Sequence, residues 1–437
     1  MLHYYVSSAI KSHNIWAKIK IFHQMIKTTC RLCSSKNLYK FIDLGLQPPS
    51  DQFLERKKIN EETIFYPLAV NTCKSCGFKQ LTHVVDPNVL YQQDYPYESS
   101  LTQSGLDHFY EFALSVKNRF KLTSNDLVID VGSNVGVLLN SFKSLGTKVL
   151  GVDPAENICR IANSRNIMTL NSFFDSNICD FIKKKHGKAK VITGTNVFAH
   201  IDDLSELFKN VKKILHKKNG IFVIEVPHFL NLLKHLEYDT IYHEHLSYIT
   251  IQPLIKFLKK RNLKIFRIEK KDIHGGSIRI FISYIDSFKT EKSVNLILKQ
   301  EKKANLNSLK ILDSFSENIK KNRFNLVSLM TKLKLEKKKI IALSTPAKGM
   351  TLLNYCKLDN DYINFATEKS KLKIGKFTPG GNIPIYNDKK IFKEKPDYAI
   401  ILAWNFAKEI INNNKLFLKN GGKFIIPIPK VKIIRKK

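Results

Sequence analysis

Arginine is the first scarcity. Of the 72 Lys+Arg residues in the 437-residue chain only ten are Arg; Asp+Glu number 38, which leaves a formal net charge of +34. So large an imbalance first suggests a nucleic-acid or anionic-membrane binder. Bidentate recognition of bases and phosphates falls to arginine, however, and a chain heavy in Lys, Ile, Asn and Phe reads instead as compositional bias with lysine as solvated surface. Long apolar runs are also missing. None approaches the ~18 residues of a membrane helix, and the longest, 221–226 and 398–404, have the length of buried strands. The first two dozen residues lack the apolar core and cleavage site of a signal peptide, so the expectation is a cytoplasmic protein with no membrane partner. Organised sequence begins after Met25, and 1–24 reads as an N-terminal extension, either an untranslated leader or a disordered arm. The 43% hydrophobic content excludes a wholly disordered chain, and the length implies two or three domains at roughly 100–200 residues each.

Seven cysteines are present, and four of them form Cys30-x-x-Cys33 and Cys73-x-x-Cys76. Two residues between thiolates let one tight turn offer both sulfurs to a tetrahedral Zn²⁺. The 39 residues between the pairs exceed the usual ribbon, so a small subdomain must fold between the knuckles. Free thiols or two disulfides are the rivals, and a cytosolic chain disfavours disulfides. A four-thiolate site is coordinatively closed and holds a fold rather than catalysing. Cys159, Cys179 and Cys356 fall in apolar patterns and are expected in the core.

From Asn125 short apolar runs alternate with amphipathic stretches, the mark of a parallel α/β sheet. A strand over 127–131 runs into Asp130-x-Gly132-Ser133-Asn134-x-Gly136, and a second over 148–152 ends in Asp153. The glycine turn brings backbone N–H groups to a ligand at a helix N-terminus, and an acid closing the second strand can accept both hydroxyls of a ribose. The glycine spacing is not that of a dinucleotide site. S-adenosylmethionine (SAM) fits better, having no pyrophosphate to cradle, and Asp130 is placed near its amino-acid end. Later strands are expected over 190–194 and 221–226; Asn196 and His200 follow the former, at the ligand-binding edge of such a sheet.

Between 238 and 248 lies Tyr-Asp-Thr-Ile-Tyr242-His243-Glu244-His245-Leu-Ser-Tyr, a density of proton donors and acceptors that no core wants. A solvated loop and a zinc site are the rivals, but the histidine spacing is not that of HExxH and no third ligand group is evident. An acid/base and substrate site explains the cluster best: histidine takes a proton near neutral pH, Glu244 can orient a ring or bind a hydroxyl, and Tyr242 can bond a developing oxyanion. Further on, His274-Gly275-Gly276 precedes an alternating strand and offers either close backbone approach to a ligand or a simple hairpin. Residues 287–339 lack glycine and proline and read as helical; strands of a second α/β sheet are expected over 339–344, 362–366, 398–403 and 423–427. Lys348-Gly349 at a helix start is a phosphate-site candidate, and Thr378–Gly381 is a glycine-rich loop with room for a nucleotide.

In order, the knuckle Cys30/Cys33, Asp43-Leu-Gly-Leu-Gln-Pro-Pro, Cys73/Cys76, Asp94-Tyr-Pro-Tyr-Glu-Ser-Ser100, the glycine turn, Asn196-Val-Phe-Ala-His200, Tyr242-His-Glu-His245, His274-Gly-Gly-Ser277, Thr345-Pro-Ala-Lys-Gly349 and Thr378-Pro-Gly-Gly resemble the three-part nucleotide-sugar C-methyltransferases, the deoxysugar C-3 methyltransferases among them. The resemblance spans 29–429. It implies an α/β chain in which a zinc-binding domain (25–100) precedes a class I SAM-methyltransferase domain (101–286), a helical connector (287–338) and a C-terminal Rossmann-like domain (339–437) that helps to hold the nucleotide sugar. By position His245 would be the base that removes the C-3 proton of an NDP-linked 4-keto-deoxysugar, with Tyr242 and Glu244 on the sugar. Tyr95 or Tyr97 would reach in from the zinc domain, and His243, His274, Gly275, Lys348 and Thr378 would line the substrate side. Many relatives carry an acid where this chain has Val135, and Pro346 interrupts a turn that is often built of smaller residues.

Two other readings stand beside this one. The same architecture can methylate oxygen, nitrogen or a non-sugar acceptor, and a zinc-ribbon RNA-directed protein would suit the charge but leave the 242–245 cluster unexplained. No nucleic-acid partner is expected. Nothing in the sequence fixes the oligomeric state, for which a monomer is the default.

Overall fold

A computed structural model describes residues 25–91, 95–99, 102–273 and 275–436. His274, expected at the substrate side, and the N-terminal extension 1–24 lie outside the described residues. Three sheets organise the chain. The first is antiparallel and begins with β1 (Leu38–Gln47), β2 (Tyr66–Cys73) and β3 (Lys79–Leu81). The two knuckles lie at one end of it: Cys30 and Cys33 sit in the turn preceding β1, Cys73 closes β2, and Cys76 stands in the β2–β3 turn.

The second sheet is built from β4 (Leu127–Val131), β5 (Lys148–Asp153), β6 (Thr169–Asn171), β7 (Val191–Thr195) and β8 (Ile221–Pro227). A two-residue strand, β9 (Ser247–Tyr248), leaves this region and pairs with β3 of the first sheet, at the end of the segment that carries the 242–245 cluster. The hairpin β10 (Leu263–Lys271) and β11 (Ser277–Tyr284) then completes the order β10-β11-β8-β7-β4-β5-β6, with β11 antiparallel to β8. All five residues of β4 are buried, as expected of a strand covered on both faces. The strand order reverses between β4 and β7. Loops leaving their carboxyl ends therefore diverge and open a crevice, and it is these loops that carry 132–136 and 196–200. The α/β class expected from the sequence is present.

The third sheet repeats the logic. It contains β12 (Ile340–Leu343), β13 (Phe365–Glu368), β14 (Ile385–Asn387), β15 (Tyr398–Ile401), β16 (Lys423–Ile426) and β17 (Lys432–Ile434), in the order β14-β13-β12-β15-β16-β17. Its reversal lies between β12 and β15, and the loops after both reach the same cavity as the second sheet. The strand expected over 362–366 starts later, at Phe365, because Tyr362 and Ile363 donate back to the carbonyl of Asp359 in a turn. Helices Lys292–Lys303 and Leu309–Leu335 occupy the Lys-rich stretch between the second and third sheets. The longer one buries Leu312, Phe315, Ile319, Leu326, Met330 and Leu333, an apolar stripe at three- and four-residue spacing. Its stripe packs into a core that includes side chains of both the first and third sheets. A direct bridge between Leu54 and Phe377, with N–H···O distances of 2.9 and 2.8 Å, also ties the N-terminal part to the third sheet.

Candidate active site

The four knuckle sulfurs lie within 4.8 Å of one another, with Cys30–Cys76 and Cys33–Cys73 Sγ separations of 3.6 Å. A tetrahedron of sulfurs at a Zn–S distance of about 2.3 Å has edges of about 3.8 Å, so the donor set and its spacing fit zinc. The side chain of Arg31, between Cys30 and Cys33 in the sequence, is buried. Its Nε donates to Asp202 Oδ1 at 2.9 Å, on the loop that follows His200.

One cavity of about 1070 Å³ is lined by residues from all three sheet regions. That is the upper end of the range for small-molecule sites, roughly 300–1,000 Å³, and large enough for two ligands side by side. On its cofactor side Gly132, Asn134 and Gly136 have φ of +66°, +50° and +78°, which bends the chain sharply from β4 into the helix Val137–Ser144. A Cβ on Gly132 would stand 2.2 Å from Val197, so the turn tolerates no side chain there. Asp153 accepts from the backbone N–H of Asn134 (2.9 Å) and of Ala155 (3.0 Å). Burial pushes the Asp130 carboxyl up to about 7, against the pull of the Thr193 hydroxyl that donates to it at 2.6 Å; Asp153 adds to the rise. Ser133, Asn196 and His200 are among the residues lining the cavity, and Ser133 Oγ, Asn196 Oδ1 and His200 Nε2 are buried with no hydrogen-bond partner among the described residues. Buried polar atoms without partners are costly unless a ligand satisfies them. The set fits SAM: an acid at the end of the second strand of the sheet, a glycine turn, and orphaned polar atoms on residues that line one space. Gly136 does not line the cavity; it packs on Ile167 and serves the turn alone. Val135 turns into a small apolar cluster with Ala155 and Ile158.

Opposite this loop stand the residues of the cluster. His245 Nδ1 lies 2.8 Å from the Thr240 carbonyl oxygen, which assigns the ring hydrogen to Nδ1 and makes Nε2 the basic nitrogen. Tyr242 donates its hydroxyl to that Nε2 at 2.7 Å. Burial, and then Glu244 and Asp51, hold the Tyr242 phenol well above its ordinary range, so it is a donor and not a phenolate. His200 sits with its ring centroid 5.1 Å from that of His245, and Tyr91 stacks on it with centroids 6.0 Å apart. Burial, aided by His245, keeps His200 neutral to well below the usual histidine range. Tyr95 donates to Glu244 Oε2 at 2.9 Å, and Tyr97 lines the same space. Glu244 is pushed well above the carboxylate range by burial and then by Asp51; burial raises Asp51 too, against the pull of Lys373.

On the C-terminal side Lys348, two residues into the helix that begins after Pro346, lines the cavity and donates to Asn405 Oδ1. It lies 4.6 Å from the Trp404 ring centroid, and the Trp404 indole in turn donates to Asp239 at 2.6 Å. Three expected substrate contacts are corrected. His243 points away from the cavity into a buried aromatic cluster with Tyr66 and His83, its Nε2 3.3 Å from the Tyr66 carbonyl, and burial drops it to about 4. Thr378 spends its hydroxyl on the N–H of Ile383 inside its own turn. Gly275 packs against Glu237, outside the lining.

Sequence reasoning missed Asp51, Tyr91 and Lys373. Lys373 is buried 3.6 Å from Asp51 and donates to the Thr345 carbonyl at 2.8 Å. Asp51 had a faint signal, an acid just past a Pro-Pro turn; Lys373 had none, being one lysine among dozens.

Three family matches cover most of the chain: a zinc binding domain over 30–91, a methyltransferase domain over 105–268 and a C-methyltransferase C-terminal domain over 272–429. Among characterised proteins the chain is 34% identical to the C-methyltransferase NovU of Streptomyces niveus, over 93% of this chain and 96% of that one. Among solved structures it is similar to an S-adenosylmethionine-dependent methyltransferase from Clostridium acetobutylicum (16% identity, 41% of this chain and 92% of that one, TM-score 0.33). It is also similar to the SAH-bound magnesium protoporphyrin IX methyltransferase of Synechocystis (14% identity, 43% and 88%, TM-score 0.33).

Proposed function

Because this chain belongs to the three-domain C-methyltransferase family, a SAM-dependent enzyme with a four-cysteine zinc domain, we propose that it methylates C-3 of a nucleotide-linked 4-keto-deoxysugar through an enolate. The observation that carries the reading is the Tyr242–His245 pair, its Nε2 fixed as the base by the Thr240 carbonyl, in one cavity with the glycine turn and with Lys348.

The chemistry bound SAM contributes is an electrophilic methyl group on a sulfonium. The chain must supply a carbon nucleophile, and a C–H beside a ketone is the one a neutral imidazole can reach. His245 Nε2 takes the C-3 proton; the C–H electron pair becomes the C-3–C-4 double bond and the ketone oxygen takes the charge. Tyr242 releases Nε2 as substrate enters and donates to that oxygen, a role its retained proton suits. Tyr95 and the Asp51–Glu244 pair hold sugar hydroxyls. Lys348 at the helix start takes a phosphate. Asp130, Ser133, Asp153, Asn196 and His200 hold the cofactor, and Asn134 shapes the turn that presents them. A base of this kind is worth roughly 10²–10⁴ in rate, and closeness of the reactants supplies much of the rest, up to about 7–11 kcal/mol.

The test pairs methyl-labelled SAM with a panel of NDP-4-ketosugars in deuterated water. Expected are label in the product, SAM-independent deuterium at C-3, and loss of both by roughly 10²-fold or more in His245→Ala. Both carbons flanking a C-4 ketone are acidic, so deuterium at C-5 instead would move the assignment to that carbon. Methylation with no exchange at carbon would overturn the enolate.

A further inference from the structure

The segment Tyr95–Ser99 runs from the zinc domain past the cofactor loop, and three hydrogen bonds pin its backbone. Asn134 makes two of them: its Oδ1 accepts from the Ser99 N–H at 2.7 Å, and its Nδ2 donates to the Tyr97 carbonyl at 3.0 Å. Asn157 Nδ2 donates to the Tyr95 carbonyl at 3.0 Å. Asn134 belongs to the glycine turn after β4 and Asn157 to the first turn of the helix Glu156–Ser164 that follows β5. These two elements flank the cofactor side of the cavity. At its other end the segment places the Tyr95 hydroxyl on Glu244. Asn134 itself holds a left-handed conformation, φ +50°, that asparagine adopts more readily than other side chains. Its backbone N–H is fixed by Asp153. One residue is therefore bonded to both the cofactor's acid and the strap carrying a substrate-side tyrosine.

We propose that Asn134 and Asn157 are positioning residues that transmit cofactor occupancy to the acceptor site through the Tyr95–Ser99 strap. A ligand seated against Ser133 and Asp153 restrains the turn, the turn holds the Asn134 amide, and the amide holds the strap that sets Tyr95 against Glu244. Coupling of this kind is reciprocal: whatever orders the Tyr95 end tightens cofactor binding by the same factor. It accounts for an amide in the glycine turn that faces protein backbone at both its polar atoms. Cofactor and acceptor then favour each other's binding, and the acceptor side is better ordered once the turn is held, without requiring the cofactor to enter first.

The inference rests on the cofactor seat proposed above and not on the acceptor's identity, so its test uses no sugar. Amide hydrogen exchange of a peptide covering 95–99 is measured in the full-length zinc protein with and without S-adenosylhomocysteine (SAH). SAH is expected to slow strap exchange by about 5-fold or more, the low end of measured couplings. Asn157 does not line the cavity, so Asn157→Ala is expected to keep SAH affinity within about 3-fold while losing at least half of that protection. Asn134→Asp keeps the acceptor for Ser99 and loses the donor to Tyr97, and should be intermediate; Asn134→Ala should abolish the response. A wild-type strap whose exchange ignores SAH overturns the proposal, as does Asn157→Ala with full protection. A purely structural asparagine would raise exchange equally with and without SAH, and that result would also overturn it.

Discussion

Asp130 shows how far one buried carboxyl can tie the enzyme to pH. Its ordinary value is 3.8 and burial in the folded chain lifts it to about 7. The folded protein thus binds this proton more tightly than the unfolded chain does. Through this group alone, stability of the ligand-free protein falls as pH rises from about 4, and its penalty is complete above about 7. Placed against the cofactor's ammonium, the same carboxyl is wanted ionised. SAH affinity is therefore expected to climb between pH 5.5 and 8 with a midpoint near 7, with proton release measurable by calorimetry in buffers of different ionisation enthalpy. Asp130→Asn should bind more weakly and flatten the profile; a profile with no inflection would show that Asp130 does not meet the cation. At this scale much was legible, because Asp130, Gly132, Asp153 and the Tyr242–His245 pair are local spacings that a motif can carry. His243 was misread for the same reason. Adjacent residues leave a loop in different directions, and only packing on Tyr66 says which way each one goes.

Elements longer than a motif were legible where their pattern was periodic and obscure where partners came from far away. The buried run of β4 and the apolar stripe of Leu309–Leu335 announce themselves. The two-residue β9 cannot, since it is a strand only because β3 lies beside it. The coupling of the zinc knuckle to the loop after His200 was equally hidden. Cys30-x-x-Cys33 predicts a turn around a metal, and nothing in it says that the intervening Arg31 will bond to Asp202, whose loop lines the cavity. A hydrogen bond to a charged partner contributes roughly 1.5–3 kcal/mol, and 1.4 kcal/mol is a factor of ten in an equilibrium. Arg31→Ala is expected to raise the SAM KM about tenfold while metal analysis still finds one zinc per chain. Loss of zinc with no change in cofactor binding would place Arg31 with the knuckle alone. Stripping the metal with a chelator should act on both, lowering the melting temperature together with cofactor affinity.

At the scale of the whole molecule the charge reverses between outside and inside. The chain carries +34, yet the cavity is lined by Asp51, Asp130, Asp153, Glu244 and Glu368 against few cations. Surface lysine therefore says little about the site; its contribution is to attract an anionic ligand from a distance. Inside, Lys373 from the C-terminal part lies beside Asp51 from the N-terminal part, which in turn faces Glu244 from the middle. One buried cation thus answers acids drawn from two other regions of the chain, and its removal tests whether the cavity is an assembly. Lys373→Met keeps most of the stem and deletes the charge. Breaking a buried ion pair by removing one partner costs about 3–5 kcal/mol. Lys373 is what holds Asp51 down against the upward push of burial, so in the variant both Asp51 and Glu244 retain protons to still higher pH. Protonated, the pair no longer needs the cation. The loss should be largest near pH 8 and shrink toward pH 5, by urea unfolding of wild type and variant at each pH. A loss independent of pH would mean that Asp51 and Glu244 do not depend on the Lys373 charge, which would then serve Glu368, held ionised below the usual carboxylate range, or packing alone.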